Sequence, residues 1–123
     1  MSTIRQEQIA RLLVREISSI LRRDMKDPRI AAVTVTDAEI SRDLSYARVY
    51  VSVLGSDEER KAALAALQKV SGFIRGEFTR RAHLRVAPEI VFLPDEGIEH
   101  GMRIFELLKE IEAENDSSER KTS

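Results

Sequence analysis

Residues 56–88 read SDEERKAALAALQKVSGFIRGEFTRRAHLRVAP, and this stretch decides the predicted fold. Its apolar residues recur every three or four positions, which predicts a helical path with one face on a core. Gly72 lies inside that path. A glycine in a helix costs about 1 kcal/mol relative to alanine and tolerates a bend. We therefore predict two helices that meet at a structural kink formed by Ser71 and Gly72.

The two predicted helices differ in charge. Residues 69–85 hold five basic residues against one acidic residue, and four of the five are arginines. The planar fork of arginine donates two parallel hydrogen bonds to an oxyanion, so this segment is a candidate phosphate-binding surface. A solvated helix face is the simpler alternative, and these residues alone leave it open. The five basic residues are Lys69, Arg75, Arg80, Arg81 and Arg85.

The first part of the chain predicts another helix. Thr3 with Gln6 has the form of a capping box, and apolar residues follow at helical spacing, so residues 4–24 should be an amphipathic helix. Pro28 disfavours helical angles at the residue before it, which predicts a loop over residues 25–29. The end of this helix and the loop supply further candidate phosphate ligands, which are Arg22, Arg23, Lys26 and Arg29.

Three strands are predicted from alternation and from proline boundaries. Residues 32–40 alternate with a shift of phase near Thr36 and Asp37, which indicates a strand with a bulge. Residues 46–53 alternate strictly after a polar turn, so the two strands form a hairpin with one buried face. Residues 88–94 are a short apolar run between two prolines and predict a third strand.

A last helix is predicted over residues 95–111. Residues 114–123 lack apolar side chains, and residues 113–123 are expected to be disordered. The predicted order is helix, strand, strand, helix, kink, helix, strand, helix. This order defines a two-layer α+β domain, with a three-stranded sheet and helices on one of its faces. It resembles the type II KH fold. We expect residues 1–112 to form this domain and residues 113–123 to be a polar tail.

Composition limits the classes of function. The 123 residues suit one domain, and the absence of cysteine excludes a disulfide framework, a thiolate nucleophile and a cysteine zinc site. No segment has the length of a membrane span and no signal pattern is present, so a cytoplasmic location is expected. The net charge of −1 conceals basic segments at residues 1–30 and 69–85 and an acidic segment at 86–123. This distribution favours a local anionic partner.

Four motifs carry a resemblance to a known family. They are KDPR at residues 26–29, EISRDLSYA at 39–47, SGFIR at 71–75 and RVAPE at 85–89. In these motifs, and over about residues 4–111, the chain resembles ribosome-binding factor A. In that bacterial family an Ala-x-Gly kink replaces the Gly-x-x-Gly loop of KH modules. The alanine position of the kink is occupied by Val70 in this chain.

The resemblance implies a non-enzymatic factor that binds the immature small ribosomal subunit and its rRNA. Such a factor supports late maturation, including processing of the rRNA 5′ end, often with importance in the cold. The resemblance also implies a monomer without cofactor, metal or membrane association, with an assembly GTPase as a candidate partner. We expect the basic residues named above to contact phosphates, and we assign Phe73 and Ile74 to the core because they follow the apolar period.

Other functions remain open at this point. A small hydrolase using His83 or His100 with Glu89 or Glu99 has only the residue types in its favour, because no nucleophile elbow, phosphate loop or metalloprotease helix is present. The histidines have no recognised metal-ligand spacing. A generic KH-like RNA-binding module, or a protein-interaction module that uses a sheet edge or the acidic last helix, would have the same fold.

Overall fold

The computed structural model describes residues 3–97. In chain order these residues form α1 (Ile4–Arg23), α2 (Pro28–Ala31), β1 (Val33–Ile40), β2 (Tyr46–Val53), α3 (Asp57–Arg81) and β3 (Glu89–Pro94). β1 pairs antiparallel with β2, whereas β3 pairs with the other side of β2 in parallel. A parallel pair needs a crossover connection, and α3 supplies it. The order β1-β2-β3 and the packing of α1 and α3 on the sheet confirm the predicted α+β class.

The capping box predicted at Thr3 is present, and a second one at Ser56 fixes where the other long helix begins. The Thr3 hydroxyl accepts a hydrogen bond from the Gln6 backbone N–H at 3.1 Å, and the Gln6 side chain accepts one from the Thr3 N–H at 2.9 Å. Ser56 and Glu59 make the same reciprocal pair at 3.2 and 3.3 Å. Each pair satisfies donors that the first helical turn leaves without a partner.

The predicted bulge in the first strand is also present. The register of β1 against β2 shifts between Val35 and Asp37, so Thr36 is the extra residue. Its hydroxyl donates to a carboxylate oxygen of Asp95 at 2.6 Å, which links β1 to the residue that follows β3. The bulge therefore lies where it connects the two edges of the sheet.

The core lies between the sheet and the two long helices. Within residues 3–97, no buried side chain is polar or charged. Burying a leucine, isoleucine or phenylalanine stabilises a fold by about 1.5–3 kcal/mol, so this layer holds the helices against the sheet. Its fully buried members include Leu13, Ile17, Ile20, Val49, Val51, Leu67, Ile74 and Phe78.

The structure corrects the prediction for the central helical segment. α3 is one continuous α-helix of 25 residues, where two separate helices were predicted, so the predicted kink at Ser71 and Gly72 would be a bend within this helix. The Ser71 hydroxyl donates to the Gln68 carbonyl at 2.8 Å, and the helix continues through Gly72. A glycine penalty of about 1 kcal/mol is too small to break a helix when Leu67 and Ile74, on either side of it, are both fully buried.

The loop predicted over residues 25–29 also needs correction, because its second half begins α2. The Asp27 carboxylate accepts a hydrogen bond from the Arg29 backbone N–H at 2.9 Å and caps this helix. Pro28 occupies the first helical position, where a missing N–H costs nothing. Asp-Pro was interpreted as a helix end, although the same pair is also a good helix start.

Two predictions lie outside the described residues. The last helix was predicted over residues 95–111, and the structure describes its start only as far as Gly97. The polar tail at residues 113–123 and the domain boundary at residue 112 also lie beyond the described range. Within that range, no helix has the length and apolar character to cross a lipid bilayer.

Candidate RNA-binding surface

One exposed face of the second half of α3 is open and carries cations. We define the α3 stripe as Lys69, Gly72, Phe73, Gly76 and Arg80, which are all exposed. Spacings of three, four and seven residues place such side chains on one helix face. A Cβ atom added at Gly72 or Gly76 would meet no atom within 4 Å. The face therefore has room for a partner to approach the helix backbone closely.

The segment between α1 and α2 runs beside this half of α3. Asp24 contacts Arg81 at 2.9 Å. The pKa of Asp27 lies below its ordinary value mainly because Arg29 donates hydrogen bonds to it, and the nearby charge of Lys69 adds to this effect. Lys26 lies between these two aspartates and is exposed. The backbone on either side of Lys26 therefore lies beside the second half of α3.

Arg81 is held inside the molecule. Its guanidinium contacts Asp24 at 2.9 Å, Glu77 at 3.4 Å and Glu16 at 3.7 Å. Only 23% of its side chain is exposed. Because Glu16 belongs to α1, these ion pairs join the two long helices. The structure thus gives Arg81 a structural role within the fold.

Arg80 and Arg29 pair with single neighbouring carboxylates but stay exposed. Arg80 contacts Glu77 at 2.8 Å with 69% of its side chain exposed, and this hydrogen bond holds the pKa of Glu77 below its usual range. Arg29 contacts both carboxylate oxygens of Asp27, at 2.7 and 3.1 Å. Each guanidinium has five N–H donors, so donors remain for a phosphate.

Arg75 and Arg85 lie on a different flank. Arg75 is six residues from Lys69, about a third of a turn around the helix. Its Nη2 donates to the carbonyl of Ala87 at 2.8 Å, which ties α3 to the segment before β3. Arg85 is exposed in that same segment. The cluster that the sequence presents as one basic segment is therefore divided between two surfaces.

Several predicted ligands have no partner within the described range. No side chain of this group makes a hydrogen bond or ion pair with another residue of 3–97, and all of them are exposed. The group consists of Arg22, Arg23, Lys26, Lys69 and Arg85. Arg22 stands apart from the others, since it lines a cavity of 170 Å³ beside Val33 and Thr34 of β1. Lys69 belongs to the stripe, and Lys26 lies in the segment that runs beside the second half of α3.

Phe73 was assigned to the core, and this prediction is wrong. Its relative exposure is 50%, whereas the adjacent Ile74 is fully buried. The buried period of α3 runs through Leu67, Ile74 and Phe78, so Phe73 lies to one side of it. The sequence contained this signal. Each residue step turns an α-helix by about 100°, so Phe73 cannot share the face of its neighbour Ile74.

The described residues do not assemble a metal centre. No group of three or more histidine, cysteine, aspartate or glutamate side chains within residues 3–97 is placed to hold an ion. His83 is exposed just after α3, at a positive φ of 55°. A cavity of about 630 Å³ lies between α1 and β1, and Glu7, Arg11 and Asp37 are among its lining residues.

The fold and this surface together define a class of protein. A three-stranded mixed sheet with helices on one face, and with an open, cation-bearing face on the crossover helix, is a KH-like domain. The family model for ribosome-binding factor A matches residues 5–108. The chain belongs to that family.

Individual relatives agree with this assignment. The chain is 46% identical over 110 residues to ribosome-binding factor A of Desulforamulus reducens, covering 89% of this chain and 92% of the relative. The protein of that name from Brevibacillus brevis is 44% identical over 119 residues, covering 97% of this chain and 98% of the relative.

Solved structures show the same fold. The crystal structure of ribosome-binding factor A from Thermus thermophilus superposes with a TM-score of 0.65 at 28% identity, covering 72% of this chain and 94% of that one. A homology model of the Thermus thermophilus protein, fitted into a cryo-EM map of a 30S complex, gives a TM-score of 0.57 at 29% identity. It covers 78% of this chain and 97% of that chain.

Proposed function

We propose that this protein is an assembly factor that binds the free, immature small ribosomal subunit through its rRNA. It supports late maturation of the subunit, including processing of the rRNA 5′ end, and matters most in the cold. Family membership and the relative fitted into a 30S complex support this proposal. The observation that carries it is the open face of α3, with Lys69 and the adjacent Lys26 exposed and unpaired within residues 3–97.

The proposed contacts are chiefly to phosphate groups. Lys26 and Lys69 need break no internal ion pair to bind one, because neither is paired within the described range. Arg29 and Arg80 can add donors while they remain beside their own carboxylates. Arg22, Arg23 and Arg85 extend the cationic surface away from the stripe. Arg75 and Arg81 act mainly by holding elements together.

The remaining features follow from the same proposal. The protein acts as a monomer in the cytoplasm, without cofactor or catalysis, and an assembly GTPase is a candidate for its release. Residues 1–112 form the binding domain, and residues 113–123 form a polar tail. The acidic charge of residues 86–123 would weaken unspecific contacts with other polyanions.

Co-sedimentation tests the proposal. The wild-type protein is centrifuged with purified immature small subunits, mature small subunits, large subunits and whole ribosomes at several salt concentrations. We expect preferential binding to free small subunits that weakens steeply with salt, because phosphate contacts release counterions. Equal binding to all particles, or to unrelated structured RNA, would identify a generic RNA-binding module instead.

A matched pair of variants tests the surface itself. Lys69→Glu reverses a charge on the α3 stripe, and Lys61→Glu reverses an exposed charge eight residues earlier on the same helix. Only Lys69→Glu should weaken subunit binding. In cells lacking the gene, only the Lys61 variant should restore 5′-end processing at low temperature. If both variants weakened subunit binding equally, the assignment of this face as the RNA-binding surface would be wrong.

A further inference from the structure

Phe73 is the only large apolar residue of α3 that is exposed. It lies in the middle of α3, yet half of its surface is exposed, while Ile74 and Phe78 are fully buried. Phenylalanine rings normally bury most of their area in a core or an interface. Residues 3–97 leave half of this residue uncovered, so the exposed half is available to a partner.

The surroundings of the ring fit a flat partner. Gly72 and Gly76 lie immediately before it and three residues after it, and a Cβ at either position would meet nothing within 4 Å. Each exposed glycine costs about 1 kcal/mol of helix stability relative to alanine. The packing of the described residues does not require either glycine. Their effect is to leave the helix surface beside the ring without side chains.

The charges around the ring favour an anion. Lys69 is one turn before Phe73, and Arg80 is two turns after it on the same face. Glu77, one turn after Phe73, is already engaged by Arg80 and Arg81. A ligand with a flat apolar face and negative charges at each end would match this arrangement. An unpaired segment of RNA has this character, because bases alternate with phosphates.

We infer that Phe73 is a stacking platform for an unpaired RNA base, with Lys69 and Arg80 holding phosphates on either side. This inference rests on the proposed function and specifies its substrate as single-stranded rRNA. Paired bases are already stacked in a helix, so an aromatic side chain reads splayed bases instead. The surface thus distinguishes unpaired from paired RNA by shape.

The chain has no tryptophan, so Phe73→Trp introduces a single fluorescent probe. The variant is titrated at low salt with a twelve-nucleotide single-stranded RNA of mixed sequence and with the duplex of the same strand. We expect the single strand to quench the tryptophan and the duplex to leave it nearly unchanged. Equal quenching by both would contradict base stacking.

Subunit binding supplies a second readout. Phe73→Ala and Phe73→Leu should each weaken binding to immature small subunits about tenfold, whereas Phe73→Tyr should bind like the wild type. The slope of affinity against salt should stay the same, because no phosphate contact is removed. Val86→Ala is the matched control, since Val86 is 69% exposed and lies away from the stripe, and it should bind normally.

Three of the remaining outcomes overturn the inference, and a fourth rejects only the proposed function. Wild-type affinity of the Ala and Leu variants would do so and leave the proposed function standing. Weakened subunit binding without tryptophan quenching by RNA would indicate that Phe73 packs on a ribosomal protein. A dimer in sedimentation equilibrium that Phe73→Ala abolishes would assign the face to a second copy. Failure of the wild type to bind small subunits, with quenching by RNA intact, would instead reject the proposed function alone.

Discussion

Arg81 and Lys69 lie on the same helix, but the structure uses them differently. Arg81 lies against α1, where Glu16, Asp24 and Glu77 surround its guanidinium. Lys69 lies on the α3 stripe, where no described residue pairs with it. The difference comes from their neighbours, since both side chains are cationic. A cation that is already paired and partly desolvated stabilises the fold, whereas an exposed unpaired cation is available to a partner.

This contrast assigns separate roles to residues of one basic segment. The flank of α3 around Arg81 joins helices and should affect stability. The stripe around Phe73 contributes little to the core and should affect binding. Variants that change stability without changing binding, or binding without changing stability, test this separation.

The largest effect is expected from reversing both unpaired cations beside the stripe. Lys26→Glu with Lys69→Glu should weaken binding to small subunits about 100-fold, because each lost charge-assisted contact costs about 1.5 kcal/mol. The slope of log affinity against log salt should fall by about two. The free energy of unfolding should stay near the wild-type value. A large loss of stability would show that these lysines also hold the fold.

The next effect concerns Arg81. Arg81→Met should lower the free energy of unfolding by about 1–2 kcal/mol, because three partly buried carboxylates lose their common partner. Urea denaturation measures this change, and subunit binding by the folded variant should be nearly unchanged. Arg80→Met is the matched control, with little effect on stability and a clear effect on binding. If Arg80→Met lowered the stability and Arg81→Met weakened binding, the roles of the two arginines would be reversed.

A smaller effect is expected from closing the open face of α3. Gly72→Ala with Gly76→Ala should raise the free energy of unfolding by about 1 kcal/mol, since both positions are helical and have room for a Cβ. Binding to small subunits should weaken, because the added methyl groups occupy the space beside Phe73. A variant that is more stable and binds normally would show that the face does not need to be open.

The smallest expected effect is a change in the free energy of unfolding with pH. The hydrogen bond from Arg80 holds the pKa of Glu77 below its ordinary value of 4.5, so the ionised form is favoured in the folded state. The stability from this group is therefore present above pH 4.5 and is lost as pH falls through the lowered pKa. Glu77→Gln should be less stable than the wild type at pH 7, and the two should converge toward pH 3. A difference that stays constant with pH would exclude this ion pair as its cause.

Local features of the fold were predictable from the sequence. Thr3 and Ser56 begin helices because their capping boxes satisfy backbone donors within four residues. The bulge at Thr36 was visible because a strand must change phase to keep its apolar side chains on one face. Each of these signals lies within a few residues of the feature it specifies.

Two errors arose where local rules conflict with packing. Gly72 weakens a helix locally, but Leu67 and Ile74 on either side of it are buried, and α3 continues through it. Phe73 is as hydrophobic as its core neighbours, yet the helix phase leaves half of it exposed. Helix propensity does not contain the outcome at Gly72, because it depends on which face of α3 meets the sheet. The exposure of Phe73 follows instead from the helical period, which was misread by one residue.

The sequence by itself determined the α+β class, the start of α1, the bulge in β1 and the set of basic residues, since each depends on periodicity or on neighbours along the chain. The tertiary structure decided which cations are available. Arg81 is occupied because carboxylates from α1 and the segment after it lie within ion-pair distance. Lys69 makes no ion pair within residues 3–97, although its charge acts on the nearby Asp27. A guanidinium or ammonium group has the same chemistry everywhere in the chain, and only the carboxylates that folding brings near it decide its role.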